Sequence, residues 1–509
     1  MDAALPDTSN ENANTSRAPM LRLSLVMMLA GSLLVGFSMG RWLAPLAAWI
    51  GPVLILRYAR DHKVGSGYLF VLAACILAFL IGFGSSWAGL LPLLIVPILA
   101  VGFGFLWSLP YLADRLVGAQ LKGFSSTFVY PLAATTLEFV LIRTNPFGAW
   151  GATAFTQYGD LLLMQIVSVT GMIGITFVMG WFASVANWAW ENRTRGGEIL
   201  KGVGAFGVVL AAVYTFGFLR LSLAPAGETV RVAGITPQSG MVLFNRFVAD
   251  PAAARLEVQS HWDAYFGETV REARAGARLI VWPEGAGTVP FSDEASLIAQ
   301  AQEIAQQYDI YLAIGMYAFD DGPDSSPPGE NKFLLIDPTG AILIEHFKYG
   351  GRILDPYRVQ GDGKLQTADT TFGVLSGVVC WDLDYPTVIQ QAGQKEVGLI
   401  LVPSNDWPAI DPVHSHMAAF PAIENGMSIV RQTSDGLSIA VDPYGRVLAQ
   451  TDFFGSADRT MVAQVPVMHV ATLYTAFGRW LGGILVVAFL LVVAYVVARA
   501  IIARPAAGT

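Results

Sequence analysis

Cys380 closes an apolar run, Phe372-Gly-Val-Leu-Ser-Gly-Val-Val-Cys380, and is followed by Trp381, Asp382, Asp384 and Pro386. Valine and leucine favour strands, while Gly373 and Gly377 let other backbone approach closely. The run predicts a buried strand that ends on a thiol, with a turn that opens the sulfur to a substrate. Taken alone, a cysteine in such a place is more often a small core residue. Two further residues sit in the same kind of place. Glu284 follows an apolar run at 278–282 and Pro283, and Lys348 follows the run 341–347. In α/β sheets ligands gather outside the carboxyl ends of strands, so the three can meet in space. Their chemistry is coherent. A thiol near its free pKa of about 8.5 attacks poorly until it becomes a thiolate. A neighbouring carboxylate can take the proton, and a lysine can stabilise first the thiolate and then an oxyanion. Such a group performs nucleophilic acyl transfer through a thioester. His414 and His416, two positions apart and with no other clear ligand partners, do not predict a metal site. Neither a metal nor a cofactor is expected.

The elements that must position these residues lie between 229 and 468. Strands are expected at 231–235, 278–282, 311–316, 333–337, 341–347, up to Cys380, 398–402, 437–441 and 446–450. Helices are expected at 254–275, 294–308 and 415–425. Pro338-Thr-Gly340 and Asp442-Pro-Tyr-Gly445 read as hairpin turns, and the acidic, proline-rich stretch 320–330 as a surface loop. Mixed strands and helices of this kind predict a layered α/β domain.

The rest of the chain has another character. Of 509 residues, 54% are hydrophobic and only 14% charged, with a mean hydropathy of +0.50; soluble domains carry about 25% charge. Apolar segments at 20–39, 43–57, 67–84, 88–110, 124–142, 161–188, 201–222 and 478–498 predict about eight transmembrane helices. The expected domains are a disordered cytoplasmic tail at 1–19, a seven-helix membrane domain at 20–224, the α/β domain at 229–468 and a last membrane helix at 473–503. Arg57, Arg60, Lys63, Arg115, Lys122, Arg193, Arg195, Lys201, Arg499 and Arg504 fall in one set of loops, and the opposite set holds little beyond Arg41 and Arg143. Basic loops stay in the cytoplasm, which puts both termini inside and the α/β domain outside. The net charge of −8 argues against a nucleic-acid partner. Glu138 lies at membrane depth, where a carboxylate marks either function or an ion pair, here with Arg143. The loop 145–151 carries the glycines and aromatics of a membrane interface. Cys75 lies inside an apolar run and Cys380 in the α/β domain, so no disulfide is expected between them.

Val281-Trp-Pro-Glu284, Phe347-Lys348 and Cys380-Trp-Asp382 with Tyr385-Pro386 resemble the three signatures of the nitrilase (carbon–nitrogen hydrolase) superfamily. That resemblance implies an αββα sandwich and a Glu284–Lys348–Cys380 catalytic triad. The flanking helices resemble the bacterial apolipoprotein N-acyltransferase family, as do Glu138-Phe139, the loop 146–158, Ser404-Asn-Asp-Trp407, His416, Glu424 and the run 472–478. It implies a phospholipid acyl donor, a lipoprotein acceptor, contact with membrane lipids, a monomer, and a place in the cytoplasmic (inner) membrane. The family's Pro-Phe-Gly-Glu run after the lysine is missing here; Lys348-Tyr-Gly-Gly-Arg-Ile-Leu-Asp355 stands in its place, with Asp355 the only nearby acid. The stretch from Lys348 to Cys380 is also shorter than the family's lid arm, and arginines usual on the helix ending at Glu424 give way to Pro421-Ala-Ile423.

Supporting roles have alternatives. Glu424 would orient Lys348 by an ion pair or be a helix-surface charge. Asp382 lies in the cysteine signature. Trp381 would pack over an acyl chain or in the core, and Trp407 would close the site or cap its strand. Tyr349 with Gly350 and Gly351 would be a lid hinge or an ordinary turn. A membrane-anchored amidase or nitrilase-type hydrolase, or an acyltransferase with another amine acceptor, is the alternative function. A non-catalytic scaffold fits poorly with three reactive residues so placed.

Overall fold

The computed structural model describes residues 9–87, 94–320, 329–355 and 358–502. They fall into two compact units. One comprises Met1–Leu137, Thr176–Ala211 and Ile484–Thr509, and the other Glu138–Ile175 and Ala212–Gly483. The division therefore does not lie at 224–229, where composition changes; residues 138–175 belong with the α/β domain.

The α/β unit is a sandwich of two sheets covered on both outer faces by helices. The strands are β1 Thr229–Gly234, β2 Leu279–Val281, β3 Gly287–Pro290, β4 Tyr311–Phe319, β5 Glu330–Ile336, β6 Ile342–Phe347, β7 Thr367–Thr370, β8 Gly373–Gly377, β9 Leu399–Asn405, β10 Ser428–Ser434, β11 Leu437–Val441, β12 Val447–Asp452 and β13 Met461–Pro466. One sheet runs β13-β1-β2-β4-β5-β6 with β3 paired to β4, and the other β12-β11-β10-β9-β8-β7. Central pairs β1–β2, β2–β4, β8–β9 and β9–β10 are parallel. Parallel strands buried on both faces read as continuous apolar runs, as Leu399-Ile-Leu-Val402 does. Leu399 and Leu401 join the core between the sheets, and Ile400 and Val402 face the helices Pro386–Gln394 and Ala419–Asn425. The other outer layer packs Trp262, Tyr265, Leu297 and Ala301 from Pro251–Arg274 and Glu294–Tyr308 onto Ile280, Leu312 and Ile314. Asp250 caps the first of these helices by accepting from Ala253 N at 3.1 Å, with Pro251 set in its first turn.

Both hairpins form where expected, with Gly340 and Gly445 at positive φ. The expected strand does not reach Cys380. The ladder stops at Gly377, because Cys380 takes a left-handed φ of +49°, which no strand can hold. Sequence patterning also misses β3, β7, β10 and β13 and the helices Gly240–Ala249 and Pro386–Gln394. The helix expected at 415–425 is two short ones, Val413–His416 and Ala419–Asn425. Most of the expected 320–330 loop lies outside the described residues.

Among the described residues, six helices are long and apolar enough to cross a membrane: Val64–Trp87, Ile95–Gln120, Gly123–Thr144, Ile173–Glu191, Gly196–Ser222 and Trp480–Ile502. The segments expected at 20–39 and 43–57 are helical as well, in Ser9–Ser38 and Pro45–Asp61. The first begins within the stretch expected as a disordered tail. The segment expected at 161–188 is broken into Leu161–Met164, Val167–Thr170 and Ile173–Glu191. Gly171, at φ +68° and ψ −179°, ends the middle piece in a backbone conformation that glycine adopts without strain. In the helical unit, Arg60 donates to both carboxylate oxygens of Asp114, each at 2.8 Å, and to Ser184 Oγ at 3.1 Å. That fork ties three helices together, since a buried cation needs paired acceptors.

The two sheets interlock at Phe333 of β5, which is fully buried. A Cβ on Gly377 of β8 would lie 2.1 Å from its ring, so this glycine makes room for a side chain rather than for backbone. We expect Phe333→Ala to cost about 3–5 kcal/mol through the cavity it leaves. Gly377→Ala should cost about 1–3 kcal/mol by overpacking. The double variant should lose clearly less than the sum, because the added methyl enters the space vacated by the ring; thermal melting of the four proteins in one detergent measures this.

Candidate active site

Each candidate residue stands where a strand gives way to a turn. Beyond β2, Trp282 N still donates to Ala313 O at 2.8 Å. Pro283 then ends the pairing, and Glu284 N crosses to Ser404 O of the other sheet at 3.2 Å. The Glu284 carboxylate is nine-tenths buried and fully engaged. Its Oε1 accepts from Lys348 Nζ at 2.5 Å and from Asn331 Nδ2 at 2.7 Å, and its Oε2 from Asn405 N at 3.1 Å. Lys348 leaves β6 with its own N–H on Asn331 O at 2.8 Å. Burial works against its charge, but the Glu284 carboxylate outweighs it and holds the ammonium above the ordinary lysine range.

Cys380 opens a 3-10 turn, Cys380–Asp384. A non-glycine residue at φ +49° is strained and persists only where its surroundings hold it. The residue is 5% exposed, and its sulfur donates to Asn405 O at 3.6 Å. Asn405 therefore touches two candidates at once, Glu284 through its N–H and Cys380 through its carbonyl. Burial, and after it Glu284, push the Cys380 thiol well above its ordinary value; Lys348 and then Arg431 pull it down. At rest the residue is a neutral thiol beside a charged Glu–Lys pair.

Asp382 joins the cysteine turn to the lysine turn. Its Oδ1 accepts from Tyr349 N at 2.9 Å and Gly350 N at 2.6 Å, and its Oδ2 from His346 Nε2 at 2.9 Å and Val379 N at 3.1 Å. Burial opposes ionisation of this fully enclosed carboxyl, yet the His346 hydrogen bond and the other donors hold it below the usual carboxylate range. The loop 145–158 packs on the outside of the same turn. Ala149 N donates to Asp384 O at 2.7 Å, Tyr385 donates to Pro146 O, and Trp381 Nε1 donates to Phe147 O at 3.4 Å.

The structure sorts the remaining expected residues. Trp381 is buried, its ring stacked at 6.1 Å on Phe147, which is the core alternative. Tyr349 and Gly350 are not a free hinge, since both N–H groups end on Asp382 and Arg358 donates to the carbonyls of Lys348 and Gly350. Asp355 accepts from Tyr317 at 3.3 Å. Trp407 is half-buried and opens the turn that returns Ile410 N to its carbonyl at 3.0 Å. Glu424 does not orient Lys348. Its Oε1 accepts from Met172 N at 2.7 Å, the N–H released by the helix break at Gly171, and it lines a small cavity with Tyr474, Leu383 and Met417. Glu138 accepts from Thr153 N and Oγ1 at 3.1 and 2.6 Å.

Residues missed in sequence complete the site. Asn331 of β5 and His346 of β6 hydrogen-bond directly to Glu284 and Asp382, at 2.7 and 2.9 Å. Arg431, on the unpredicted β10, places Nη2 3.9 Å from Cys380 Sγ. The β-branched Ile429, Val430 and Thr433 were the available signal for that strand. Cys380, Asp406 and His414 bring ligand atoms within 4.8 Å of one another, but the Arg431 guanidinium already binds Asp406 and contacts His414 in that space. His416 is apart, stacked on Tyr158 at 4.1 Å.

Residues 246–473 match the carbon–nitrogen hydrolase family. The chain is 26% identical over 468 residues to the apolipoprotein N-acyltransferase of Gloeobacter violaceus, covering 85% of this chain and 86% of that one. It is 25% identical over 482 residues to the apolipoprotein N-acyltransferase of Geobacter metallireducens, covering 85% and 88%. Among solved structures, an amidase from Nesterenkonia sp. aligns with 50% of this chain and 95% of its own, at 20% identity and a TM-score of 0.38.

Burial pushes the Glu424 carboxyl up to about 8, against about 4.3 in an unfolded chain. Between those values the folded protein keeps a proton that the unfolded chain has lost, so this group favours folding at low pH and the advantage drains away as pH rises toward 8. Glu424→Gln should be insensitive to that titration. Its melting midpoint relative to wild type should rise steadily from pH 5 to pH 8, measured in one detergent across the range.

Proposed function

We propose that this multi-pass membrane member of the carbon–nitrogen hydrolase family is an acyltransferase that moves an acyl chain from phospholipid to the N-terminal amine of a lipoprotein's diacylglyceryl-cysteine. One observation carries the reading: Glu284, Lys348 and Cys380 converge through Asn405 and Asp382, in a chain with six helices of membrane length among its described residues. A simple anchor needs one helix, whereas a lipid donor explains more.

In this mechanism Glu284 takes the Cys380 proton and the thiolate attacks the ester carbonyl of the donor. The ammonium of Lys348 lies beside Glu284 and stabilises the oxyanion as the S–C bond forms. The ester C–O bond then breaks, and Glu284 returns the proton to the departing alkoxide, which leaves as lysophospholipid. In the second half, a neutral amine attacks the thioester and gives a proton to Glu284. The C–S bond breaks and the sulfur regains the proton as thiol. Atoms and charge balance with no cofactor. Asp382 holds the cysteine and lysine turns in register. The protein works as a monomer in the cytoplasmic membrane, with both termini inside and the α/β domain outside.

The short stretch between Lys348 and Cys380 favours a second reading, a membrane-bound amidase or hydrolase in which water takes the acyl group. Intact-mass analysis after incubation with phospholipid distinguishes them. Wild type should carry one acyl chain on Cys380, which an amine acceptor discharges. Cys380→Ser should carry none, and Cys75→Ser should behave as wild type. In single-turnover assays Lys348→Arg and Glu284→Gln should slow acylation by about 10²–10³, since the planar fork of arginine cannot replace a compact ammonium at one point. An adduct discharged by water as fast as by the amine supports the hydrolase, and normal acylation in either variant refutes the triad.

The orientation has its own test. A cysteine at Leu256, 84% exposed on the α/β domain, should react with a membrane-impermeant maleimide in intact spheroplasts. Reaction only after lysis would reverse the topology.

A further inference from the structure

The proposed thioester chemistry leaves one requirement unmet. Cys380 must carry negative charge twice, as attacking thiolate and as leaving group, in a site where it is almost wholly buried. Lys348 is the nearer cation by sequence motif, but its ammonium is already engaged by Glu284 at 2.5 Å. A second cation lies beside the sulfur. Arg431 is fully buried, and its Nη2 is 3.9 Å from Cys380 Sγ, hydrogen-bonding distance for sulfur.

A buried guanidinium is costly and is kept only with many acceptors. Here both terminal nitrogens bind one carboxylate: Nη1 donates to Asp406 Oδ2 and Nη2 to Asp406 Oδ1, each at 2.8 Å. Nη1 also donates to Thr433 Oγ1 at 2.8 Å and to Ser415 Oγ at 2.5 Å. Such a two-point clamp fixes the direction as well as the charge of the group. Asp406 is fixed in turn, because His414 Nδ1 lies 2.7 Å from its Oδ1, while His414 Nε2 reaches Asp384 Oδ2 at 3.0 Å. Asp384 belongs to the same 3-10 turn that Cys380 opens. The contacts form a closed ring from the cysteine turn through Asp384, His414, Asp406 and Arg431 back to the sulfur. A guanidinium serving only the fold would need no contact with the thiol.

Resting on the thioester reading, we propose that Arg431 is a second catalytic cation, which stabilises the Cys380 thiolate in acylation and again when the C–S bond breaks. Asp406 and His414 are positioning residues that aim its fork at the sulfur. Lys348 then serves the oxyanion of the acyl group and shares support of the thiolate with Arg431, which contacts the sulfur directly.

The test is the pH dependence of Cys380 alkylation by iodoacetamide, followed by intact mass on full-length protein in detergent, in a Cys75→Ser background. Only the thiolate reacts, so the profile reads its stability directly. In Arg431→Gln, which keeps polar contacts with Asp406 and Thr433, the profile should move up by about one pH unit, with alkylation at pH 7 about tenfold slower. Single-turnover acylation from phospholipid should slow in parallel. Arg431→Lys, which keeps the charge but not the fork, should fall between the two and carries the measurement if the glutamine variant yields no folded protein. A folded variant of either kind with the wild-type alkylation profile overturns the assignment of Arg431. Acyl transfer surviving in Cys380→Ser would instead overturn the thioester reading itself, so the two failures are distinguishable.

Discussion

Four hydrogen-bond donors converge on the Asp382 carboxylate, and the geometry of the site follows from that convergence. Two belong to the turn after Lys348, one to His346 at the end of β6, and one to Val379 just before the cysteine. Because β6 lies in one sheet and β8 in the other, the same carboxylate joins the two layers of the sandwich. A buried charge so fully satisfied is rigid, since any displacement would leave both the anion and its donors without partners. The strained backbone of Cys380 is held inside this frame. Asn405 makes the complementary link with its main chain alone, one group to Glu284 and one to the thiol.

The site's charges are arranged in opposed pairs around one thiol, Cys380. Glu284 is matched with Lys348, and Asp406 with Arg431. The sulfur lies between the two pairs in a space that disfavours its ionisation. In such an enclosure water does little to stabilise a thiolate, so the fixed cations must do so. Charge separation then arises by moving one proton over a short distance rather than by importing an ion.

The loop 145–158 and the helix break at Gly171 show how the α/β domain uses residues that composition would assign to the membrane. Gly148, at φ +61°, brings the loop backbone against the Asp384 carbonyl, where a Cβ would lie 2.4 Å from that oxygen. Trp381 fills the angle between the loop and the turn. At Gly171 the interrupted helix frees Met172 N for Glu424, a carboxyl so enclosed that it stays protonated at neutral pH despite facing a helix N-terminus, where anions are normally favoured. The loop and the helix break therefore fix, by hydrogen bonds, the back of the turn that carries Cys380.

The sequence alone determined the candidate chemistry. A thiol, a carboxylate and an amine, each after an apolar strand, are chemically legible because strand ends and turn residues are local signals, and the apolar helices are legible because a bilayer demands length and hydrophobicity. The hairpins at Gly340 and Gly445 were equally local. What only the tertiary structure decided were the partners of buried charge. Glu424 lies on the helix before β10, yet it answers to Met172 rather than Lys348. Arg431 sits in a strand whose alternation is masked by Ser428, Gln432 and Ser434, polar residues that are buried and bonded to other elements, to Pro466 O, Thr236 and Asn405. Asp382 looked like a companion of the cysteine, and its bond to the lysine turn appears in no local pattern. Hydrophobic periodicity records which face of an element leaves water; it carries no information about which distant donor meets a buried acceptor, and in this protein that pairing sets the site.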